Sequence, residues 1–273
     1  MLRSGRHLAF SGSSIRTLLN AVLPRFQSTV QSAQFDLTEY KLFKLDSPPP
    51  ARTECTRDDA LLYLNELQRI RRMETTAGNM YKEKQIRGFC HLSSGQEAVA
   101  VGIEAALSPG DTIITAYRCH GFTMTRGVTV HSILAELAGK RTGVSVGKGG
   151  SMHMFGKDFF GGNGIVGAQV PLGVGIALRM KHRGDRNVSI TLFGDGAANQ
   201  GQVFEAFNMA KLWNLPVVFV CENNKYGMGT AVHRSSANTN YYTRGDYIPG
   251  LWVSVNDIRK VFIYSSSACE QQV

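Results

Sequence analysis

Apolar residues recur at helical spacing in a long stretch after Thr56. Thr56 is followed three residues on by Asp59, which is the order of a capping box at the start of a helix. Apolar residues then occupy every third position, at Leu61, Leu64, Leu67, Ile70 and Met73. This pattern predicts a helix that begins at Thr56. Ser94 and Glu97 have the capping-box spacing as well, and predict a second helix that runs to Leu107, before a Ser-Pro-Gly-Asp turn.

The most regular alternation of patterns begins at Asn187. Residues 188–193 and 216–221 are short apolar runs, and residues 200–213 between them have helical spacing. This order predicts a strand–helix–strand crossover, in which the two strands lie parallel. Residues 112–115 predict one more short strand. The predicted fold class is therefore α/β, with a mostly parallel sheet flanked by helices.

Residues 159–178 contain no charged side chain, which is a pattern that a hydropathy window flags as a membrane span. Six of these twenty residues are glycine, and the segment also contains Asn163, Gln169 and Pro171. A membrane-spanning helix with so many glycine and polar residues is energetically unfavourable. We therefore predict a buried glycine-rich loop that continues into a helix.

Composition narrows the class of protein. The chain has 273 residues, of which 43% are hydrophobic, so there is enough apolar surface for a globular core. Its five cysteines are odd in number and far apart, which argues against a disulfide framework and against a structural zinc site. The formal net charge is +9, from 30 Lys and Arg against 21 Asp and Glu.

Part of this charge lies in the first thirty residues. Arg3, Arg6, Arg16 and Arg25 occur there among Ser, Thr and apolar residues, and the first acidic residue is Asp36. This composition is typical of a mitochondrial transit peptide, which we place at residues 1–27; a disordered basic tail is the alternative. We therefore predict import into the mitochondrial matrix. The remaining positive charge is mild and forms no cluster with aromatic residues, so nucleic acid is not a predicted partner.

The candidate chemistry lies where the two predicted parallel strands end. Asp195 is held in a Gly-Asp-Gly turn after the first strand, and Asn224 follows the second. Ligands of open parallel sheets bind beyond the carboxyl ends of the strands. Because carboxylate and amide oxygens suit Mg²⁺, and the turn glycines leave room for a phosphate, the pattern predicts a magnesium–diphosphate site.

These residues belong to longer segments that are similar to a known family. The stretches GDGAANQGQVFEAFNMAKLW, CENNKYGMGT, HLSSGQEAVAVG, AYRCHG, GKGGSMHMF and GGNGIVGAQVPLGVGIAL resemble the alpha subunits of thiamine diphosphate-dependent 2-oxoacid dehydrogenases, of the mitochondrial pyruvate dehydrogenase type. The resemblance extends from about residue 35 to residue 258. It implies a thiamine diphosphate-binding fold, with thiamine diphosphate and Mg²⁺ as cofactors.

The resemblance also implies a role for individual residues. The Mg²⁺ ligands would be Asp195, Asn224 and the backbone carbonyl of Tyr226. The cofactor would further be held by Gly196 and Ala197, by Tyr117 and Arg118 at the diphosphate, by Gly164 and Val166 at the aminopyrimidine, and by Met228, which supports its bent conformation. His91 is the catalytic candidate that contacts the 2-oxoacid, and the substrate side of the cleft also includes Tyr117, Arg118, Gly156, Gly164 and Val166.

The implied activity is oxidative decarboxylation of pyruvate with acetyl transfer to lipoamide, which forms acetyl-CoA within the complex. The implied partners are a beta subunit, in a two-alpha two-beta tetramer, and the lipoyl-bearing acyltransferase core. The similarity ends at Ile258, so we expect the C-terminal part of the family fold to be missing. We predict an arm at residues 28–55, an incomplete dehydrogenase domain at 56–258 and a divergent tail at 259–273. Ala231 stands where several relatives have a regulated serine, and kinase control is expected to be lost.

Several other interpretations remain open. The chain could be a non-catalytic truncated isoform or paralogue, or an alpha subunit specific for branched-chain 2-oxoacids or acetoin. Residues 162–167 match the pattern GxGxxG, which is typical of dinucleotide-binding sites, but no strand pattern precedes them. His120 and His153 could be structural hydrogen-bonding residues, Arg118 could form a surface salt bridge, and Asp195 could be a simple turn residue.

Overall fold

The computed structural model describes residues 31–36 and 40–254. Its strands are β1 (Ser32–Asp36), β2 (Tyr40–Phe43), β3 (Arg52–Thr56), β4 (Thr112–Ile114), β5 (Ser189–Gly194), β6 (Val217–Glu222), β7 (Tyr226–Gly227), β8 (Thr230–Ala231) and β9 (Gly250–Val253). Its α-helices are α1 (Arg57–Lys82), α2 (Glu97–Ala106), α3 (His120–Thr125), α4 (Val130–Leu137), α5 (Gln169–Arg183), α6 (Gly201–Leu212) and α7 (Val232–Ser235). The predicted transit peptide and the predicted divergent tail lie outside the described residues.

The centre of the fold is a three-stranded sheet in the order β4-β5-β6. Both pairs of neighbours are parallel, with Ile190 of β5 level with Ile113 of β4 and with Val218 of β6. Helix α6 connects β5 to β6, which confirms the predicted crossover. The predicted α/β class, with a parallel sheet flanked by helices, is confirmed as well.

Successive residues of β5 face opposite sides of this sheet, as the two-residue period of a strand requires. Ile190 and Leu192 pack into a core that is shared with helices α1 to α4. Phe193 belongs to a second core, together with Val174 of α5 and Val203 of α6. The sheet therefore has helices on both faces, and its middle strand is buried from both sides.

Helix α5 lies unusually close to the sheet. A Cβ atom added at Gly173 would come within 1.9 Å of the Thr191 hydroxyl oxygen on β5, so only glycine fits at this contact. The helix is the predicted continuation of the glycine-rich loop, which comprises residues 138–168 between α4 and α5. No α-helix in the described part of the chain has the length and apolar character that a membrane crossing needs.

Helix α1 begins as predicted, because Thr56 Oγ1 accepts a hydrogen bond from the backbone N–H of Asp59 at 3.1 Å. The capping box predicted at Ser94 is wrong. Helix α2 begins at Glu97, and no side chain caps it. The Glu97 carboxylate forms an ion pair with Arg71 of α1 and accepts from the N–H of Gly95, so a tertiary contact occupies the group that the cap required.

The N-terminal segment of the described chain is paired in two places. Strand β1 pairs with β3 in an antiparallel ribbon, and β2 pairs with β9 near the last described residues. This pairing brings the segment before α1 beside the segment that follows the sheet. It also contributes residues such as Lys41 and Pro49 to a cavity beside β6.

Candidate functional site

Asp195 and Asn224 leave the sheet at the same edge. Gly194, the last residue of β5, is level with Glu222, the last residue of β6, so the chain segments that follow both strands begin side by side. Asp195 is 3% exposed, whereas Asn224 is exposed. The geometry therefore brings together the two residues that the sequence predicted as ligands of one metal ion.

The Asp195 carboxyl is buried, and the described part of the chain provides no cationic partner for it. Burial raises its pKa, while the backbone N–H groups of Asp195 and Asn224 lower it. Among the described residues, no Lys, Arg or His forms an ion pair with it. A buried carboxylate in these surroundings is stabilised by a bound cation, so the site fits a divalent metal ion.

The oxygen atoms needed for such an ion are present in the loop after β6. Asn224 Oδ1 accepts a hydrogen bond from the backbone N–H of Tyr226 at 3.2 Å, which closes a local turn. An amide oxygen has a second lone pair, so it remains able to coordinate a cation. Tyr226 is exposed, and it begins the short hairpin of β7 and β8.

Two facing glycines lie beside these oxygens. Gly196 follows Asp195, and a Cβ atom added there would lie 3.8 Å from the Cα atom of Gly227. The two backbone segments therefore lie close together with no side chain between them. Ala197 is buried and begins a 3-10 helix, Ala197–Asn199. Exposed backbone N–H groups in such a turn are typical anion-binding groups.

Met228 lies at the tip of the β7–β8 hairpin. Its φ is +55°, in the left-handed region that non-glycine residues seldom adopt, and its side chain is 83% exposed. Two-residue hairpins require this conformation, since their turns match the twist of the strands. The hairpin therefore presents a flexible apolar side chain next to Tyr226.

A second group of predicted site residues surrounds His91. The His91 ring lies 4.4 Å from the ring of Tyr117, measured between centroids, and 5.6 Å from that of Phe89. Burial lowers the pKa of His91, and the charges of Arg118 and His120 lower it further. The His91 imidazole is therefore neutral down to a lower pH than the imidazole of an ordinary histidine.

Arg118 is held by the backbone rather than by an acidic side chain. Its guanidinium donates to the carbonyl oxygen of Leu92 and lies 5.8 Å from the centre of the Tyr117 ring. Among the described residues it forms no salt bridge. Its positive charge is available to an anionic ligand.

The glycine-rich loop contacts the segment before Tyr117 at one end and helix α6 at the other. A Cβ atom at Gly162 would lie 2.7 Å from the carbonyl oxygen of Ala116, directly before Tyr117. Farther along, the carbonyl oxygen of Val166 accepts a hydrogen bond from Gln202 of α6 at 3.1 Å. The loop thus extends from the aromatic group to the helix that follows Asp195. No strand leads directly into residues 162–167, and Phe159 before them forms only isolated bridges, with Ile113 and with Gly156, so the dinucleotide-binding context is lacking.

Two predicted residues of this loop differ in their surroundings. Gly164 is exposed, and a Cβ atom there would lie 3.3 Å from the imidazole ring of His153. Gly156 lies in a tight turn, where its nearest side-chain neighbours are Val128 and Phe159 rather than another predicted site residue.

Sequence reasoning missed Glu222, which lies at the end of β6 two residues before Asn224. It lines a cavity of about 700 Å³ together with Asn223 and Asn224. Burial raises the pKa of its carboxyl to about 7, and the charge of Arg118 opposes this shift. The only sequence signal was its place next to the two asparagines, because its burial depends on the surrounding chain.

Two buried residues near His91 were not assigned to the site from the sequence: Glu74 was missed, and the role of His120 was left open. Glu74 of α1 and His120 of α3 are both fully buried, and they are joined by a hydrogen bond of 3.0 Å. The structural interpretation of His120 is therefore favoured. No local pattern reveals Glu74, since helical spacing predicts an apolar residue or an exposed charge at its position.

The chain is similar to known proteins over most of its length. Residues 65–272 match the dehydrogenase E1 component family. The chain is 59% identical over 252 residues, 92% of its length and 64% of the relative's, to "Pyruvate dehydrogenase E1 component subunit alpha type II, mitochondrial" of Ascaris suum. It is 65% identical over 221 residues, 81% of its length and 56% of the relative's, to the "Probable pyruvate dehydrogenase E1 component subunit alpha, mitochondrial" of Caenorhabditis elegans. To the somatic, mitochondrial form of that subunit in Homo sapiens it is 58% identical over 237 residues, 87% of its length and 61% of the relative's. The chain thus spans about three fifths of the length of these relatives.

Proposed function

We propose, because the chain belongs to the dehydrogenase E1 component family, that it is the alpha subunit of a mitochondrial pyruvate dehydrogenase component that uses thiamine diphosphate and Mg²⁺. The observation that carries the proposal is the pairing of a buried, cation-free Asp195 with Asn224 at one sheet edge. The relatives' names supply the substrate and the compartment.

Different residues of this chain would bind different parts of the cofactor. Asp195, Asn224 and the carbonyl oxygen of Tyr226 would hold the metal ion. The diphosphate would be bound by backbone N–H groups of Gly196 and Ala197, and by the side chains of Tyr117 and Arg118. The aminopyrimidine would be contacted by Gly164 and Val166, with Met228 beside the bent cofactor and Gly156 at the cleft wall. When bound, thiamine diphosphate supplies the covalent chemistry of decarboxylation.

The protein groups orient the 2-oxoacid. Arg118 presents a guanidinium that forms no ion pair among the described residues, and it attracts the substrate carboxylate. His91 has a lowered pKa and is neutral at pH 7, so it can donate a hydrogen bond to one substrate oxygen without adding charge. The Tyr117 ring beside it excludes water from one side of the imidazole.

The proposed activity is oxidative decarboxylation of pyruvate, with acetyl transfer to lipoamide and formation of acetyl-CoA within the complex. It requires a beta subunit in a two-alpha two-beta tetramer and the lipoyl-bearing acyltransferase core, all in the mitochondrial matrix. Within the chain, we assign residues 1–27 to the transit peptide, 28–55 to the arm, 56–258 to the dehydrogenase domain and 259–273 to the tail. Pyruvate is favoured over branched-chain 2-oxoacids and acetoin, because the relatives' names specify pyruvate.

The test combines binding and turnover. The mature chain is co-expressed with a beta subunit, and the isolated complex is assayed for pyruvate-dependent reduction of an artificial electron acceptor. Asp195→Asn is expected to abolish Mg²⁺-dependent binding of thiamine diphosphate, measured by calorimetry, and to remove turnover. The matched control is Asp185→Asn, since Asp185 is exposed and precedes β5, at the opposite edge of the sheet.

The outcomes are distinct. Unchanged Mg²⁺-dependent binding in Asp195→Asn would refute the metal assignment. Binding without turnover, in a complex that contains both subunits, would refute the enzymatic proposal and support the non-catalytic isoform. Turnover of a branched-chain 2-oxoacid in preference to pyruvate would refute the substrate.

A further inference from the structure

A continuous chain of buried hydrogen bonds lies beneath His91. It joins Glu74 of α1, His120 at the start of α3, Ser151 of the glycine-rich loop and the backbone of His91 itself. Glu74 and His120 are fully buried, and Ser151 is 5% exposed. Four segments that are distant in sequence thus meet through polar groups beside the apolar cluster of helices α1 to α4.

The partners of each atom assign the direction of the hydrogen bonds. Glu74 Oε1 accepts from the backbone N–H of Ser93 at 3.1 Å and from its hydroxyl at 2.7 Å. Glu74 Oε2 lies 3.0 Å from Nδ1 of His120, and because a carboxylate only accepts hydrogen bonds, the ring N–H at Nδ1 is the donor. At the other end, Ser151 Oγ accepts from the N–H of His91 at 2.9 Å.

Ser151 connects the two halves of this chain of hydrogen bonds. Its Oγ atom accepts a hydrogen bond from the backbone N–H of His91 on one side and lies 2.9 Å from Nε2 of His120 on the other. Each donor and acceptor in the chain has a partner, which is the condition under which a buried polar network makes a structure rigid.

The order carboxylate, imidazole, hydroxyl is also that of a hydrolytic triad, but this serine is not placed to attack a substrate. Its oxygen accepts from the His91 backbone and is buried. A nucleophile needs access to a carbonyl carbon, and burial denies it to this oxygen. The network therefore acts through His91, the residue at its outer end.

We propose that Glu74, His120 and Ser151 form a positioning network that holds the His91 imidazole against Tyr117 and beside Arg118. The inference rests on the proposed function, because it concerns the same substrate site. The network fixes the His91 backbone from below, while the Tyr117 ring, at 4.4 Å, confines the side chain from the other side. A displacement of about 1 Å at a group that orients the substrate lowers kcat/KM by about 100-fold.

The first test reads the His91 ring directly in the full-length chain, without cofactor. Histidine ring signals are followed by NMR as a function of pH, and His91 is identified by its loss in His91→Gln. In the wild type its titration midpoint lies below 6.5, because the ring is buried and faces Tyr117, Arg118 and His120. Ser151→Ala is expected to move the midpoint towards 6.5 and to weaken the proton–proton contacts between His91 and Tyr117.

Matched variants separate positioning from general damage. Ser145→Ala removes a hydroxyl from the same glycine-rich loop, where it donates to the carbonyl oxygen of His153, and it is expected to leave the His91 signals unchanged. Glu74→Gln retains the shape of the side chain but replaces an acceptor oxygen with a donor, so it carries the same test if Ser151→Ala does not fold. An unchanged midpoint and unchanged contacts with Tyr117 in either folded variant would overturn the proposal.

A second measurement uses the complex with the beta subunit. Ser151→Ala is expected to lower kcat/KM for pyruvate by 10- to 100-fold, with the affinity for thiamine diphosphate unchanged. Equal loss of cofactor affinity would show that the network supports the whole site rather than His91, and would overturn the assignment. A wild-type complex without turnover would refute the proposed function alone, because the NMR result still decides whether the network positions His91.

Discussion

Glu222 shows how a single residue acquires its properties from its surroundings. It is the last residue of β6 and borders the cavity that Asn224 also lines. Burial raises the pKa of its carboxyl from 4.5 to about 7. In the sequence it is an ordinary glutamate beside two asparagines, and nothing in the residue pattern indicates a carboxyl that is only partly ionised at neutral pH.

The raised pKa predicts a pH-dependent stability. A carboxyl that binds its proton more tightly in the folded state lowers the free energy of unfolding as the pH rises from 4.5 to about 7. One pKa unit corresponds to about 1.4 kcal/mol, so the loss is at most about 3 kcal/mol, and contact with solvent reduces it. Glu222→Gln is expected to unfold at the same urea concentration as the wild type near pH 5 and at a higher one near pH 8, both without metal ions.

The matched control is Glu54→Gln, which changes an exposed glutamate in β3. It measures the effect of replacing a surface carboxylate with an amide at each pH. If Glu222→Gln and the wild type have the same difference in unfolding free energy at pH 5 and pH 8, the raised pKa is refuted.

At the scale of elements, helix α5 illustrates why one glycine is required and another is not. Gly173 faces β5, where a Cβ atom would lie 1.9 Å from the Thr191 hydroxyl oxygen, whereas Gly175 has no atom within 4 Å of the same position. Both are glycines in the middle of a helix, two residues apart. Helical periodicity gives the side of the helix on which each lies, but only the packed sheet shows how near the Thr191 side chain is.

Alanine at the two positions is therefore expected to have opposite effects. Gly173→Ala forces α5 away from the sheet and lowers the free energy of unfolding by about 3 kcal/mol, at the upper end of the cost of overpacking. Gly175→Ala raises it by about 0.5–1 kcal/mol, because alanine loses less conformational freedom in a helix than glycine. Urea unfolding of the three proteins measures both changes. Equal effects of the two variants would contradict the close approach at Gly173.

At the scale of the whole molecule, helices α5 and α6 carry large apolar side chains on the surface. Exposed residues of this kind are Leu172, Leu178, Phe204, Leu212 and, directly after α6, Trp213. Apolar surface concentrated on neighbouring elements is typical of protein–protein contacts. The proposed function requires a partner subunit, and these side chains on α5 and α6 are apolar surface that an assembly can cover.

The chain by itself is therefore expected to self-associate. Leu212, which is 71% exposed, is the most accessible of these side chains. Leu212→Lys is expected to increase the fraction of monomer in sedimentation velocity experiments, because it adds charge to the contact. Leu212→Met retains the apolar surface and serves as the control. The same distribution of species in Leu212→Lys as in the wild type would show that this apolar surface takes no part in the association.

The sequence by itself determined the layout of the sheet edge. Alternation of short apolar runs with a helical pattern is local, and a strand–helix–strand crossover forces its two strands to be parallel. Asp195 and Asn224 therefore had to leave the sheet at the same side, and the register of Gly194 with Glu222 confirms it. The start of α1 was predictable for the same reason, since Thr56 and Asp59 are only three residues apart.

Only the tertiary structure decided the contacts between distant segments. Glu74 and His120 are 46 residues apart, and His91 and Ser151 are 60 apart, so no periodicity relates them. The expected cap at Ser94 was wrong for the same physical reason, because Arg71 of α1 pairs with Glu97 once the helices pack. Burial, pKa and hydrogen-bond partners depend on which segments meet, and that is determined by packing rather than by the order of residues.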